Sequence, residues 1–273
     1  MRYAICNETF VDWEWERMLE CIARLGYHGV EVAPFTLADH AAEIDAQRRR
    51  DLRNAALRAG VPVIGLHWLL VKPAGLYVTT PDDAVRRRTA DYFVDLVRLC
   101  ADLGGDLMVI GSPKQRNLLP GITRERALGY ACEVFGRALP EAERCGVTLA
   151  IEPLTPRETD FINTAADGME LIRRLGHPRF RLHLDVKAMT GSEKEPVPDV
   201  IRKNADFLHH FHANDPNLLG PGMGEVDHRP IMKALKEVGY KGHVSVEVFD
   251  YRPGAEHIAR QSLNYLRQVE AAA

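Results

Sequence analysis

A short apolar run followed by a longer helical stretch recurs along the whole chain. The apolar runs predict strands at Tyr3–Cys6, Gly29–Ala33, Val63–Leu66, Leu107–Ile110, Thr148–Ile151, Phe180–Leu184, Leu208–His212 and Val244–Val248. They are nearly continuous in apolar residues rather than alternating, as expected of strands covered on both faces. Between and after them, helices are predicted at Trp13–Leu25, Ala41–Ala59, Pro81–Leu103, Arg124–Cys145, Ala165–Leu175, Asp199–Phe207, Arg229–Val238 and Glu256–Val269. Asp12 is placed as the cap of the first helix, and Gly26, Gly60, Gly104, Gly146, Gly176 and Gly239 as helix stops.

Strands alternating with helices imply a parallel sheet. Eight such units, with no break in composition over residues 1–273, point to a single (β/α)8 TIM barrel forming one domain. An open doubly wound sheet would carry a glycine-rich turn after its first strand. Here that strand runs into Asn7-Glu8-Thr9-Phe10 instead. The longest irregular stretches, Lys72–Thr80, Gly111–Thr123, Lys187–Pro198 and Ala213–His228, all follow strands. In a barrel they gather on the C-terminal face, where barrel enzymes keep their active sites.

The composition is ordinary for a globular chain, 46% hydrophobic and 27% charged over 273 residues. A net charge of −3 gives no electrostatic case for nucleic acid or an anionic membrane. The triplets Arg48-Arg49-Arg50 and Arg86-Arg87-Arg88 fall within helices and read as solvated faces. No apolar run is long enough for a membrane span, and the N-terminus lacks a signal-peptide core. Five scattered cysteines without a CxxC pair fit free thiols and a cytoplasmic location. A homo-oligomer is compatible with all of this.

The chemistry lies at the strand ends of the second half. The fifth strand runs into Glu152-Pro153, so an apolar run stops on a carboxylate and proline ends the ladder. The sixth ends on Asp185, the seventh on His212 and the eighth on Glu247. Three carboxylates brought to one rim repel one another unless a cation joins them. One divalent metal ion bound by Glu152, Asp185, His212 and Glu247 resolves this. Oxygen-rich ligation with one imidazole suits Mn²⁺ first, with Mg²⁺, Co²⁺ or Zn²⁺ as alternatives. Among the adjacent histidines, His210 and His212 share a face; His210 is placed inward beside the ligand and His209 toward the helices. Weaker rim candidates are Glu31, at the end of the second strand, and the His67-Trp68 pair, whose aromatic ring suits a sugar face. Ser112, Lys114 and Arg116 follow the fourth strand and are candidates for a phosphate or carboxylate; Lys187 follows Asp185 and is a candidate for an anion or an enolate oxygen.

At these residues the chain resembles the xylose isomerase-like barrel superfamily, in its branch of ketose 3-epimerases, hydroxypyruvate isomerases and related sugar or sugar-phosphate isomerases. The resemblance is carried by Ile151-Glu152-Pro153-Leu154 with Glu158, His183-Leu184-Asp185, His212-Ala213-Asn214-Asp215, Pro221-Gly222-Met223-Gly224-Glu225-Val226-Asp227, and Gly239-Tyr240-Lys241-Gly242 leading to Ser245-Val246-Glu247. It implies the same four metal ligands, with Glu152 and Glu247 also forming the catalytic acid/base pair. One carboxylate takes the proton next to a carbonyl and the other returns it, while the metal stabilises the enediolate. The substrate is then a small carbohydrate, with Glu158, His67, His183, Lys187 and Lys114 as its contacts. Two positions depart from the ketose 3-epimerase pattern: Ala188 stands for a substrate-binding histidine and Leu218 for an arginine.

The sequence therefore predicts a metal-dependent isomerase or epimerase of a small sugar, keto-sugar or sugar phosphate. The main alternative is a lyase or dehydratase that expels a leaving group from the same intermediate. A DNA-repair endonuclease on this barrel would need more metal ligands and a basic groove, and a non-catalytic sugar binder predicts that Glu152→Gln or Glu247→Gln leaves any turnover unchanged.

Overall fold

The computed structural model describes residues 1–273, and its eight strands close into a parallel barrel in sequence order, the last pairing with the first. They are β1 (Arg2–Cys6), β2 (Gly29–Val32), β3 (Val63–Leu66), β4 (Leu107–Ile110), β5 (Thr148–Ile151), β6 (Phe180–Asp185), β7 (Leu208–Ala213) and β8 (His243–Val246). Every residue of β2 to β5 is buried, which explains the unbroken apolar runs. Around them lie α1 (Trp15–Leu25), α2 (Ala46–Arg58), α3 (Asp83–Leu103), α4 (Arg124–Cys145), α5 (Ala165–Leu175), α6 (Val186–Ser192), α7 (Val197–Lys203), α8 (Arg229–Glu237) and α9 (Ala255–Ala272). The barrel wall and the inner faces of these helices form one continuous apolar core of 72 buried residues. No helix is long and apolar enough to cross a membrane. All five cysteines are free.

The expected helix stops at Gly104 and Gly146 hold: both sit at positive φ (93° and 73°), a conformation that costs glycine little. Several starts differ. Asp12 lies at φ 62° rather than in the extended conformation a cap needs, and α1 begins after Glu14 without a side-chain cap. The expected helix Ala41–Ala59 is a single 3₁₀ turn at Ala41–Glu43 and then α2, whose cap is Asp45 accepting from the Arg48 amide at 2.7 Å. The expected loop Lys187–Pro198 holds most of α6, and the following helix is α7, shifted toward the N-terminus of the expected Asp199–Phe207. Two of the six clustered arginines are braces rather than solvated charges. Arg86 is buried and donates to Glu133 at 2.7 Å and to the Thr80 carbonyl at 3.0 Å. Arg49 bonds the carbonyls of Ile44 and Ala41 at 2.7 and 2.9 Å, which holds the 3₁₀ turn against α2.

Candidate metal centre and active-site cleft

The C-terminal ends of β5 to β8 deliver Glu152, Asp185, His212 and Glu247 to one place, all at 5% exposure or less. The ladders set their alignment. Asp185 and His212 are cross-strand partners of β6 and β7. The amides of Glu152 and Glu247 continue the pairing by donating to Ile110 and Ala213 at 3.2 and 3.4 Å. Polar atoms of Glu152, Asp185 and His212 lie within 4.8 Å of one another, together with His183. Glu247 joins through His212, whose Nδ1 lies 3.1 Å from its Oε2. Its other oxygen accepts from the indole of Trp68 at 3.0 Å. Glu152 also needs Gly111 beside it, since a Cβ at residue 111 would fall 1.9 Å from its Oε2.

The charges show what this centre lacks. Burial, then the neighbouring Glu247 and Asp185 carboxylates, pushes Glu152 well above the usual carboxylate range. Burial and Glu247 push Asp185 up to about 6, against Lys187 and His212. Burial works to raise Glu247, but His212 chiefly, with His67 and Lys187, holds it below the usual range. His212 is also buried, yet Glu31 and Glu247 raise it well above an ordinary imidazole. Protons thus compensate a cluster of acids that cannot all ionise unaided. A divalent cation fits the same place: three carboxylates and one imidazole form an oxygen-rich donor set for a hard or borderline ion.

Glu31 completes the centre from the far side of the barrel. It is fully buried on β2, accepting from His210 Nε2 at 2.8 Å and from His212 Nε2 at 3.1 Å. Burial works against its charge, but His210 and His212 hold it well below the usual range. With Nε2–H of His212 committed to Glu31, Nδ1 is the nitrogen left to face Glu247 and a metal. A carboxamide presents one acceptor and one donor, so Glu31→Gln would set its NH₂ against one of the two imidazoles. The expected result is a drop of about 10- to 100-fold in divalent-metal affinity, read by calorimetric titration of the chelated protein. Unchanged affinity would show that Glu31 does not orient His212.

Above this centre is a narrow cleft lined by His67, Trp68, Gly111, Glu152, Glu158, Lys187, Glu247 and Phe249. Lys187, on the first turn of α6, donates to Glu158 Oε1 at 2.6 Å and stands over the Phe249 ring, 4.0 Å from its centroid. Glu158 Oε2 is held by the Thr155 hydroxyl at 2.7 Å. Trp68 has φ 52°, a strained value for a bulky residue, which aims its indole at Glu247. Asp185 has a second task as the cap of α6. Its Oδ1 accepts from the Ala188 amide at 2.7 Å, and its Oδ2 from the Asn214 amide group at 2.5 Å.

Of the residues singled out from sequence, the four ligand candidates meet, and His67, Glu158 and Lys187 line the same cleft. His183 sits beneath it, fully buried, with Nε2 3.9 Å from Glu152 and neither ring nitrogen hydrogen-bonded. Burial and the adjacent His212 and His210 keep it well below the usual range, so it is a neutral floor for Glu152 rather than a rim contact. Lys114 is exposed and outside the cleft. Ser112 and Arg116 are buried supports: the Ser112 hydroxyl accepts from the Leu70 amide at 3.0 Å, and Arg116 donates to the carbonyls of Glu152 and Ile110 at 2.7 and 3.2 Å. Two residues were underrated in the sequence. Glu31 is a single acid inside an apolar strand, which is itself a signal. Glu8 has no such mark, yet it is 5% exposed and pairs with His67 Nε2 at 2.8 Å.

A family model described as xylose isomerase-like TIM barrel matches residues 19–269. The D-psicose 3-epimerase of Ruminiclostridium cellulolyticum is 26% identical over 249 residues, covering 88% of this chain and 82% of its own. The L-ribulose 3-epimerase of Mesorhizobium japonicum is 28% identical over 251 residues, covering 91% and 80%. Among solved structures, a D-psicose 3-epimerase from Clostridium cellulolyticum in complex with D-tagatose superposes with a TM-score of 0.86 at 22% identity, covering 99% of each chain. The 3-keto-D-glucoside 4-epimerase of E. coli gives 0.83 at 20% identity, covering 98% of each. At these identities the superpositions speak for the fold.

Proposed function

The chain belongs to the xylose isomerase-like TIM-barrel family, and from that membership we propose that it is a divalent-metal-dependent epimerase of a non-phosphorylated keto-sugar. The observation that carries this is the meeting of Glu152, Asp185, His212 and Glu247 at the ends of four successive strands, under a cleft open to solvent. A divalent ion held by these four groups would polarise the carbonyl and hydroxyl oxygens of a bound sugar. The named relatives are sugar 3-epimerases, which favours reprotonation over the elimination that a lyase performs.

The protein's own groups supply the proton chemistry. Glu152, on the β5 side, takes the proton from the carbon next to the carbonyl; Glu247, on the β8 side, delivers one to the opposite face. In the reverse direction the roles exchange. Trp68 holds Glu247 through one oxygen and leaves the other toward the centre. Trp68 and Phe249, with ring centroids 6.2 Å apart, give apolar surface against which a sugar's C–H faces can pack.

The cations of the cleft support a substrate without phosphate. Lys187 is its only lysine, and Glu158 already pairs with it. Arg116 is spent on two carbonyls, and Lys114 lies outside. Within the cleft itself, a phosphate would meet carboxylates with no lysine or arginine left free to face it.

The test is turnover of metal-loaded protein in D₂O. A ketohexose is expected to gain one deuterium at the inverted carbon, and its phosphate ester to react at about a tenth of the efficiency or less, the cost of one unpaired charged group. Loss of water, or faster turnover of the ester, would overturn the reading.

A further inference from the structure

The narrow cleft over the metal centre does not end at the Lys187–Glu158 pair. On the other side of that pair lies a second cavity, lined by Thr155, Arg157, Thr190, Gly191, Pro216 and Leu218 together with Glu158 and Lys187 themselves. It offers about 340 Å³ of free space, against about 30 Å³ in the cleft above the metal centre. That is the size of a small-molecule site.

Its walls are built for more than solvent. Leu218 is one of four large apolar residues exposed on the molecule, at 44%, and it adopts φ 74°, an uncommon conformation for a residue with a branched side chain. It is fixed there by its carbonyl, which accepts from the amides of Phe249 and Asp250 at 2.9 and 3.0 Å. The segment after β8 that supplies Phe249 to the cleft thus also holds Leu218 out into the second cavity. A non-glycine residue held at positive φ by two hydrogen bonds is the kind of strained position that clusters at ligand sites. Pro216 extends the apolar wall. The rest of the lining includes Thr155 and Thr190, whose hydroxyls donate to Glu158 and to the Val186 carbonyl and keep acceptor lone pairs, and Arg157, which forms no ion pair with any carboxylate. An apolar wall together with hydroxyls and an unpaired guanidinium is the mixture that binds a sugar ring, which carries both C–H faces and hydroxyls.

We propose that this cavity is a second sugar subsite, and that the substrate is a keto-sugar carrying a further glycosyl unit at the end remote from the reacting carbonyl. The inference rests on the epimerase reading of the cleft and names the substrate class for it. The Lys187–Glu158 pair lies on the boundary between the two rings, where Nζ and the carboxylate can serve the hydroxyls of both.

The experiment compares D-fructose with 6-O-glucosyl-fructose, on wild-type protein and on Thr190→Trp, with metal content and melting temperature checked for each. Thr190 is exposed on α6 and lines only the second cavity, so a tryptophan there fills the subsite. The wild type is expected to favour the disaccharide by at least about tenfold in kcat/KM, with the advantage in KM, since the distant ring adds binding rather than chemistry. Thr190→Trp should erase that advantage, and Arg157→Ala should reduce it. A wild-type enzyme that favours fructose, or an advantage that survives Thr190→Trp, would overturn the subsite while leaving the epimerase reading intact. If the metal-loaded wild type exchanges deuterium into neither sugar, the epimerase reading falls.

Discussion

Glu247→Gln protein, resupplied with metal to wild-type content, is expected to exchange the substrate's proton without inverting the carbon. If Glu152 and Glu247 serve opposite faces of the sugar, removing one base leaves the other able to take and return a proton on its own side. One epimer should then incorporate deuterium from D₂O while remaining the same epimer, and the other should be inert. Glu152→Gln should reverse which epimer exchanges. Overall epimerisation should fall by about 10²- to 10⁴-fold in each variant, the usual worth of a positioned acid or base. Mass and proton spectra of recovered substrate provide the readout. Loss of exchange in both epimers at full metal content would mean that a single group moves the proton. Glu247→Ala removes both a ligand and the indole's partner, and is expected to fall from about one divalent ion per chain to nearly none.

The second large effect is on stability. In metal-free protein, Glu152 and Asp185 are raised by burial and then by Glu247, and Glu152 also by Asp185. A carboxyl raised on folding favours the native state while protonated, and that contribution is lost as pH rises through its folded value, about 6 for Asp185. A divalent ion replaces the protons and removes the loss. The gap in melting temperature between metal-loaded and chelated protein should therefore be small near pH 5 and widen through pH 6 to 7. At a hundredfold excess over Kd the ion adds about 2.7 kcal/mol. Metal uptake in weak buffer at pH 6 should release protons. A gap that stays constant from pH 5 to 7 would show that protons and metal do not share this site.

The barrel was legible because its code is local. Each strand of the second half is an apolar run stopping on a ligand-type residue, and the residue where each run stops already names the centre. The helix beginnings were less legible because their caps are tertiary. Asp185 looks like a strand end and nothing more, yet its Oδ1 starts α6, so one side chain both ends β6 and begins the next helix. The stretch after it therefore read as loop. Lys114 and Arg116 show the opposite limit: both are cations in one loop, but whether a side chain turns outward or braces carbonyls depends on the barrel wall beneath it. Glu8 and Glu31 matter through partners 59 and about 180 residues away, His67, His210 and His212. No window along the chain contains both ends of such a contact.

The bond from Glu31 on β2 to His212 on β7 also bears on how the chain acquires its activity. It spans 181 positions and crosses the lumen between strands that are not neighbours in the sheet. A contact of such long range carries a large loop-closure cost, as does the pairing of β8 with β1 that closes the ring. Strands β5 to β8 by themselves carry all four ligands but not the carboxylate that orients the imidazole. A partly assembled barrel would therefore capture metal poorly, and high-affinity metal uptake would report the docking of β2 across from β7 during refolding.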